Sequence, residues 1–251
     1  MTPKLIAFDL DSTLAESKQP LSWSMGEHLV RLLEKMPVAV MSGAAFHQFE
    51  GQFLAELPGT ARLDRLYIFS VNAGQCYTWG GNGWKIIYDH NFKDEERQTI
   101  LRALDEALKK TGLYEQPEQV WGERIEDRGA QISFSGLGQH APLEAKKSWD
   151  PAVEKRQSLH DALVPLLPNF SVSIGGSSTI DITQKGVTKA YGIEQLSKIT
   201  NIPIPEMLYV GDELREGGND AVVIQTGIPT AAVNSPKEAM EIIEKILAEN
   251  R

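Results

Sequence analysis

The sequence predicts an α/β fold, a Rossmann-like core with a parallel sheet, interrupted by an inserted α+β domain. Three observations carry this expectation. Short apolar runs without polar alternation, at 4–10, 37–41, 66–71 and 207–210, alternate with stretches of helical spacing, as in strands covered on both faces. The texture changes after Asn72, and the first pattern resumes after Gly186. The length of 251 residues and the 41% hydrophobic content suit one or two domains with well-filled cores.

The run at 4–10 leads through a loop, to about residue 22, into a helix marked by Leu29, Leu32, Leu33 and Met36. Residues 37–41 form a second strand ending at Ser42-Gly43, followed by a helix over 46–57 and a third buried strand over 66–71. Within 77–88, Trp79-Gly80-Gly81-Asn82-Gly83-Trp84 predicts a hairpin, because Asn-Gly supplies the positive φ values of a tight turn. The insertion is expected to hold helices over 94–111 and 152–166, with strands over 130–135, 171–174 and 179–182. The closing part gives a helix over 189–198, strands over 207–210 and 221–225, and a terminal helix over 236–249. On this pattern the core comprises 1–88 and 185–251 and the insertion 89–184, with hinges expected near the two junctions.

Composition narrows the function classes. With 25 basic against 34 acidic side chains, a net charge of −9 and no long basic run, the chain is not expected to bind nucleic acid. Cys76 stands alone, which excludes an internal disulfide and a cysteine-based zinc site and fits a reducing compartment. No apolar stretch approaches the ~20 residues of a membrane-spanning helix, and Leu5-Ile6-Ala7-Phe8 stops at Asp9, too short for a signal-peptide core. A cytoplasmic, soluble protein without membrane contact is the expectation.

In an open parallel sheet, ligands bind beyond the carboxyl ends of the strands. Here those ends read Asp9-Leu10-Asp11-Ser12-Thr13, Ser42-Gly43 and Gly211-Asp212-Glu213, joined by Lys189 and the Gly217-Gly218-Asn219-Asp220 loop. A hard cation such as Mg²⁺ takes one or two carboxylates and leaves its other positions to water and substrate phosphate; Asp9 and Asp212 are the best candidates. Asp220 either supports the metal site or caps a short helix, and Ser42 serves a phosphate, a helix N-terminus or both. With the metal and Lys189 neutralising the phosphate, Asp9 can attack phosphorus while Asp11 donates a proton to the leaving oxygen.

These residues resemble the four motifs of the haloacid dehalogenase superfamily. Asp9-Leu10-Asp11-Ser12-Thr13 is similar to its DxDGT motif, Ser42 to the second, Lys189 to the third, and Gly211-Asp212 with Gly218-Asn219-Asp220 to the fourth, all in order. The insertion between the second and third looks like the C2-type cap of subfamily IIB. Within that subfamily, Gly211–Asp220 and Phe170-Ser171-Val172-Ser173-Ile174-Gly175-Gly176, with Thr179 and Asp181, resemble the eukaryotic-type phosphomannomutases. That resemblance implies metal ligation by Asp9, Asp11, Asp212 and Asp220, substrate contacts at Arg128, Gln139, Thr179 and Asp181, and a homodimer through the cap. Gln139 and Lys18 stand where the family pattern has arginines, and Ser12 where it has glycine. A neutral amide gives a distal phosphate no charge-assisted bidentate contact, which disfavours a substrate phosphorylated at both ends.

The expected activity is therefore Mg²⁺-dependent phosphatase action on a sugar phosphate or similar small ester through an aspartyl-phosphate. Interconversion of hexose 1- and 6-phosphates is the alternative, and non-catalytic sugar-phosphate binding a second one.

Overall fold

In the computed structural model, which describes residues 2–17 and 19–249, the chain forms two units, Met1–Asp89 with Thr188–Arg251, and His90–Val187. Lys18 lies outside the described residues. The first unit begins with β1 (Leu5–Asp9), buried at every position, and continues through α1 (Trp23–Lys35), β2 (Val38–Met41), α2 (Phe46–Gln52), β3 (Leu66–Ser70), β4 (Gln75–Trp79) and β5 (Trp84–Asp89). The second unit contributes α3 (Asp94–Thr111), β6 (Ile125–Asp127), β7 (Gln131–Ser135), α4 (Leu143–Trp149), α5 (Glu154–Leu163), β8 (Phe170–Gly175) and β9 (Thr179–Gln184). The chain then returns to the first with α6 (Lys189–Thr200), β10 (Met207–Gly211), β11 (Thr230–Ala232) and α7 (Pro236–Glu249).

The first unit's sheet has the order β11-β10-β1-β2-β3-β4-β5. Its pairings are parallel from β11 to β3, and β4 and β5 add an antiparallel margin. One face packs Ile6, Phe8, Val38 and Val40 against the apolar stripes of α1 and α7; the other packs Leu5, Ala7, Ala39 and Met41 with Ile193 and Leu196 of α6. The helices obey local signals. Ser22 caps α1 by accepting from the Met25 amide at 3.2 Å, and α1 stops at Lys35 because Pro37 disfavours helical backbone at Met36, which is extended.

Three sequence expectations change in this unit. The hairpin turn takes its positive φ at Gly81 (+91°), with Gly80 donating to the Gly83 carbonyl at 2.8 Å, so the Gly81-Asn82 pair makes the turn. The helix expected over 46–57 ends at Gln52 and continues only as a 3₁₀ turn, Leu54–Glu56. Residues expected as a strand at 221–225 form a 3₁₀ helix, Ala221–Thr226, wound by Ala221 donating to Gly218 and Val223 to Asp220; of its apolar side chains only Val223 is fully buried, and Ile224 is 50% exposed.

The second unit is an antiparallel sheet, β6-β7-β9-β8, whose Ile132, Phe134, Ile180 and Ile182 pack on α3 and α5. Cross-strand pairing of Ser133 with Asp181, and of Asp181 with Ser173, puts a polar row on the opposite face. In α3, acids at Asp94, Glu95 and Glu96 and bases at Lys109 and Lys110 complement the helix dipole, and Gly112 closes it at φ +73°. A buried ion pair organises the second helical stretch: Arg156 Nε donates to Asp150 Oδ2 at 2.9 Å, while the Asp150 carboxylate accepts the Lys155 and Arg156 amides at 3.0 Å each. Burial pushes the Asp150 carboxyl up, but those amides and the guanidinium outweigh it and hold the group below its usual value.

Asp150→Ala strands a buried guanidinium and should destabilise the second unit by about 3–5 kcal/mol in denaturant titration. Because the folded Asp150 value is depressed, its contribution should be complete above the ordinary carboxylate range and fade as pH falls through the lowered value. In the first unit, Ser12 adopts φ +62°, a left-handed conformation, while its amide donates to the Ala15 carbonyl at 2.7 Å. Ser12→Gly should therefore stabilise by about 0.5–1 kcal/mol, read as a higher denaturation midpoint, after allowing for the greater unfolded-state entropy of glycine.

Candidate active site

Strand periodicity aims Asp9. Leu5 and Ala7 face α6 while Ile6 and Phe8 face the other way, so the next odd position, Asp9, leaves β1 on the α6 side. Lys189 is the first residue of α6, whose N-cap, Thr188, accepts from the Tyr191 amide. The fully buried Lys189 Nζ lies 2.5 Å from Asp9 Oδ1 and 2.6 Å from Asp220 Oδ1. Asp220 is fixed at both ends: Tyr209 Oη donates to Oδ1 at 2.6 Å, and the Glu213 amide donates to Oδ2 at 3.3 Å. Only glycine fits at 211, since a Cβ there would lie 2.4 Å from Asp220 Oδ2.

Asp9, Asp212 and Asp220 each place a carboxylate oxygen within 4.8 Å of the others. When all are ionised, three carboxylates against one ammonium leave two uncompensated negative charges, which one divalent cation would neutralise. Oxygen-only donors suit a hard cation. The electrostatics agree: burial, aided by Asp220, pushes the Asp9 carboxyl well above its usual range against the pull of Lys189. Burial and Asp220 likewise bring the Asp212 carboxyl up to about 6. Burial opposes the charge on Lys189, but Asp220 and Asp9 together outweigh it and keep that pKa well above the ordinary lysine value.

Asp11 is not one of the three clustered carboxylates. The chain turns after β1, with Leu14 and Ala15 both donating to the Leu10 carbonyl, and the Asp11 side chain is approached by Ser42 Oγ at 3.5 Å and Gln52 Nε2 at 3.3 Å. Ser42 Oγ also accepts the Ala44 amide at 3.1 Å, while α2 begins after Ala45, so Ser42 is not the N-cap of that helix. Thr13 Oγ1 reaches Asp212 Oδ1 at 3.4 Å. Beside Ser42, the Val71, Asn72 and Ala73 backbones all take positive φ, bringing the Asn72 amide to the Ser42 carbonyl at 2.9 Å.

Within the second unit, Arg128 donates to Glu126 Oε2 at 2.7 and 3.0 Å and to Gln139 Oε1 at 3.3 Å. Asp181 accepts from Ser133 Oγ at 2.6 Å, and Thr179 Oγ1 donates to the Gly175 carbonyl at 2.5 Å. Lys185, the sequence rival of Lys189, instead donates to the Pro168 carbonyl. Sequence reasoning missed Tyr209 and Gln52. Tyr209 lay inside an apolar run and Gln52 on an ordinary helix face, so neither carried a signal before the strands were placed.

A family model described as haloacid dehalogenase-like hydrolase matches residues 6–251. Proteins named phosphomannomutase from Spinacia oleracea and Saccharomyces cerevisiae are each 25% identical, covering 95% and 96% of this chain and 94% and 93% of their own. Among solved structures, the IMP-nucleotidase of Plasmodium falciparum superposes with a TM-score of 0.71 at 16% identity, covering 99% of this chain and 62% of that one. The C-terminal domain of C. albicans trehalose-6-phosphate phosphatase superposes at 0.67 and 15% identity, covering 99% and 93%. The ordered motifs, the parallel sheet and the carboxylates gathered at its strand ends agree with the family match, and the chain belongs to the haloacid dehalogenase-like hydrolases.

Proposed function

We propose that the protein is a Mg²⁺-dependent phosphatase acting on small phosphate esters, sugar phosphates among them, through an aspartyl-phosphate at Asp9. The observation that carries this reading is the Asp9 carboxylate at the end of β1, gripped by Lys189 at 2.5 Å inside a carboxylate cluster. Mg²⁺ held by Asp9, Asp212 and Asp220 would neutralise charge on the transferring phosphate. Lys189 adds a second positive charge and orients Asp9. An Asp9 oxygen attacks phosphorus, the phosphorus–oxygen bond to the leaving group breaks, and Asp11 gives its proton to the departing oxygen. Water then attacks the same phosphorus, its proton passing to Asp11, and the bond to Asp9 breaks to release inorganic phosphate. Ser42, beside Asp11, is positioned to donate to a phosphate oxygen.

Recognition of the rest of the substrate is assigned to the polar face of the second unit, with Arg128, Gln139, Thr179 and Asp181. Gln139 brings no charge there, and the Arg128 guanidinium is already engaged by Glu126, so this face favours hydroxyl groups over a second phosphate. The specific observation favouring the mutase is the match to proteins named phosphomannomutase over nearly the whole chain.

Asp9→Asn should cut phosphate release across an ester panel by roughly ten-thousandfold while the circular-dichroism spectrum stays unchanged; near-normal turnover would refute the nucleophile. With mannose 1-phosphate, Mg²⁺ and a hexose bisphosphate activator, free phosphate should accumulate faster than mannose 6-phosphate. The reverse order would establish the mutase, and tight binding without either product would establish a binding protein.

A further inference from the structure

Tyr209 is buried completely on the β10 face that packs against α6, among Met207, Leu5, Ala7 and Ile193. Packing alone asks only for an aromatic ring there, and phenylalanine would supply it. The hydroxyl is the unexplained part. A buried phenol needs a partner, and this one donates to Asp220 Oδ1 at 2.6 Å, the same oxygen that receives Lys189 Nζ at 2.6 Å. A carboxylate oxygen accepts, so across this contact the phenol is the donor.

Lys189 serves two masters, Asp9 and Asp220. If it alone oriented Asp220, any shift of the ammonium toward an arriving phosphate would release that carboxylate, and with it one member of the cluster. A second donor on Oδ1 removes the conflict, because Asp220 stays clamped between Tyr209 and the Glu213 amide while the lysine moves. We propose that Tyr209 is a positioning residue, whose hydroxyl holds Asp220 in the metal-binding orientation independently of Lys189. The inference rests on the cluster's being the metal centre of the function proposed above. No ligand need touch Tyr209 itself.

Tyr209→Phe removes one oxygen and keeps the ring. In Mg²⁺ titrations followed by calorimetry and by thermal shift, its half-saturating concentration should rise about tenfold, the typical penalty for removing a group that orients a metal ligand. With p-nitrophenyl phosphate at saturating Mg²⁺, kcat should fall while KM stays within about twofold, because the phenol acts through Asp220 and not on the ester. In a double-mutant cycle, adding Tyr209→Phe to Asp220→Asn should weaken Mg²⁺ no further. Should the phenylalanine variant fail to fold, Tyr209→Met gives the same readings with a flexible side chain filling the space. A Mg²⁺ half-saturation unchanged from wild type, with only a lowered melting temperature, would overturn the proposal, as would independent effects in the cycle. A wild-type protein that binds Mg²⁺ but hydrolyses no ester would defeat the phosphatase reading, while the binding titrations would still decide the role of Tyr209.

Discussion

One buried ammonium holds the site's carboxylates together. Lys189 sits between Asp9 and Asp220, and none of the three side chains is appreciably exposed. An unpaired ionised carboxylate at such depth costs several kcal/mol, and two facing each other cost more, so the ammonium between them is what lets both carry charge there. The partners are separated by 180 and 31 positions in sequence. The contact therefore ties the end of β1, the start of α6 and the loop after β10 into one cluster.

That sheet supplies the site's precision. β1 lies between β10 and β2, paired in parallel with both, so the carboxyl ends of three adjacent strands deliver Asp9, Gly211-Asp212 and Ser42 to one edge. Strand ends held by a hydrogen-bonded ladder move little, whereas the loops beyond them can be shaped freely. Asp220 belongs to such a loop, and its position is secured by closeness: the missing side chain at Gly211 admits its carboxylate, and at Gly218 a Cβ would lie 2.1 Å from the Glu213 carbonyl oxygen. Replacing either glycine would push the acid away from the lysine that makes its burial tolerable.

How far the sequence disclosed this depended on the range of the forces involved. The buried strands were legible because continuous apolar runs are a local signature, and α3 because its apolar period, terminal charges and closing Gly112 all agree. The 221–226 segment was misread because Val222, Val223 and Ile224 imitate a strand, while the bonds that wind it come from Gly218 and Asp220 just upstream. The short α4 and the marginal strands β6 and β11 gave too little period to detect. Asp9, Asp212 and Lys189 could be picked out by residue type at strand and helix ends. Tyr209 could not, since the direction of its hydroxyl is decided by a residue eleven positions on, reached only through the folded loop. Ser12 shows another limit: its departure from glycine was visible, but its left-handed backbone was not.

If the second unit's polar face meets the far end of the substrate, as proposed above, its charge bears on the choice between hydrolysis and mutase action. A mutase must accommodate a sugar carrying phosphate at either end, so the face that meets the far end needs surplus positive charge. In the reading proposed here, that face carries Arg128 as a cation and Glu126 and Asp181 as acids, with the neutral Gln139 amide beside Arg128. Arg128 spends two of its donor contacts on Glu126. A dianionic phosphate would have to displace these contacts, leaving Glu126 beside it, and would face Asp181 as well. Hydroxyl groups suit the same side chains at no such electrostatic cost, since a carboxylate accepts what a hydroxyl donates. The family match bears on the transferring end of the reaction; under the function proposed above, this balance of charge is the argument for water as the final acceptor.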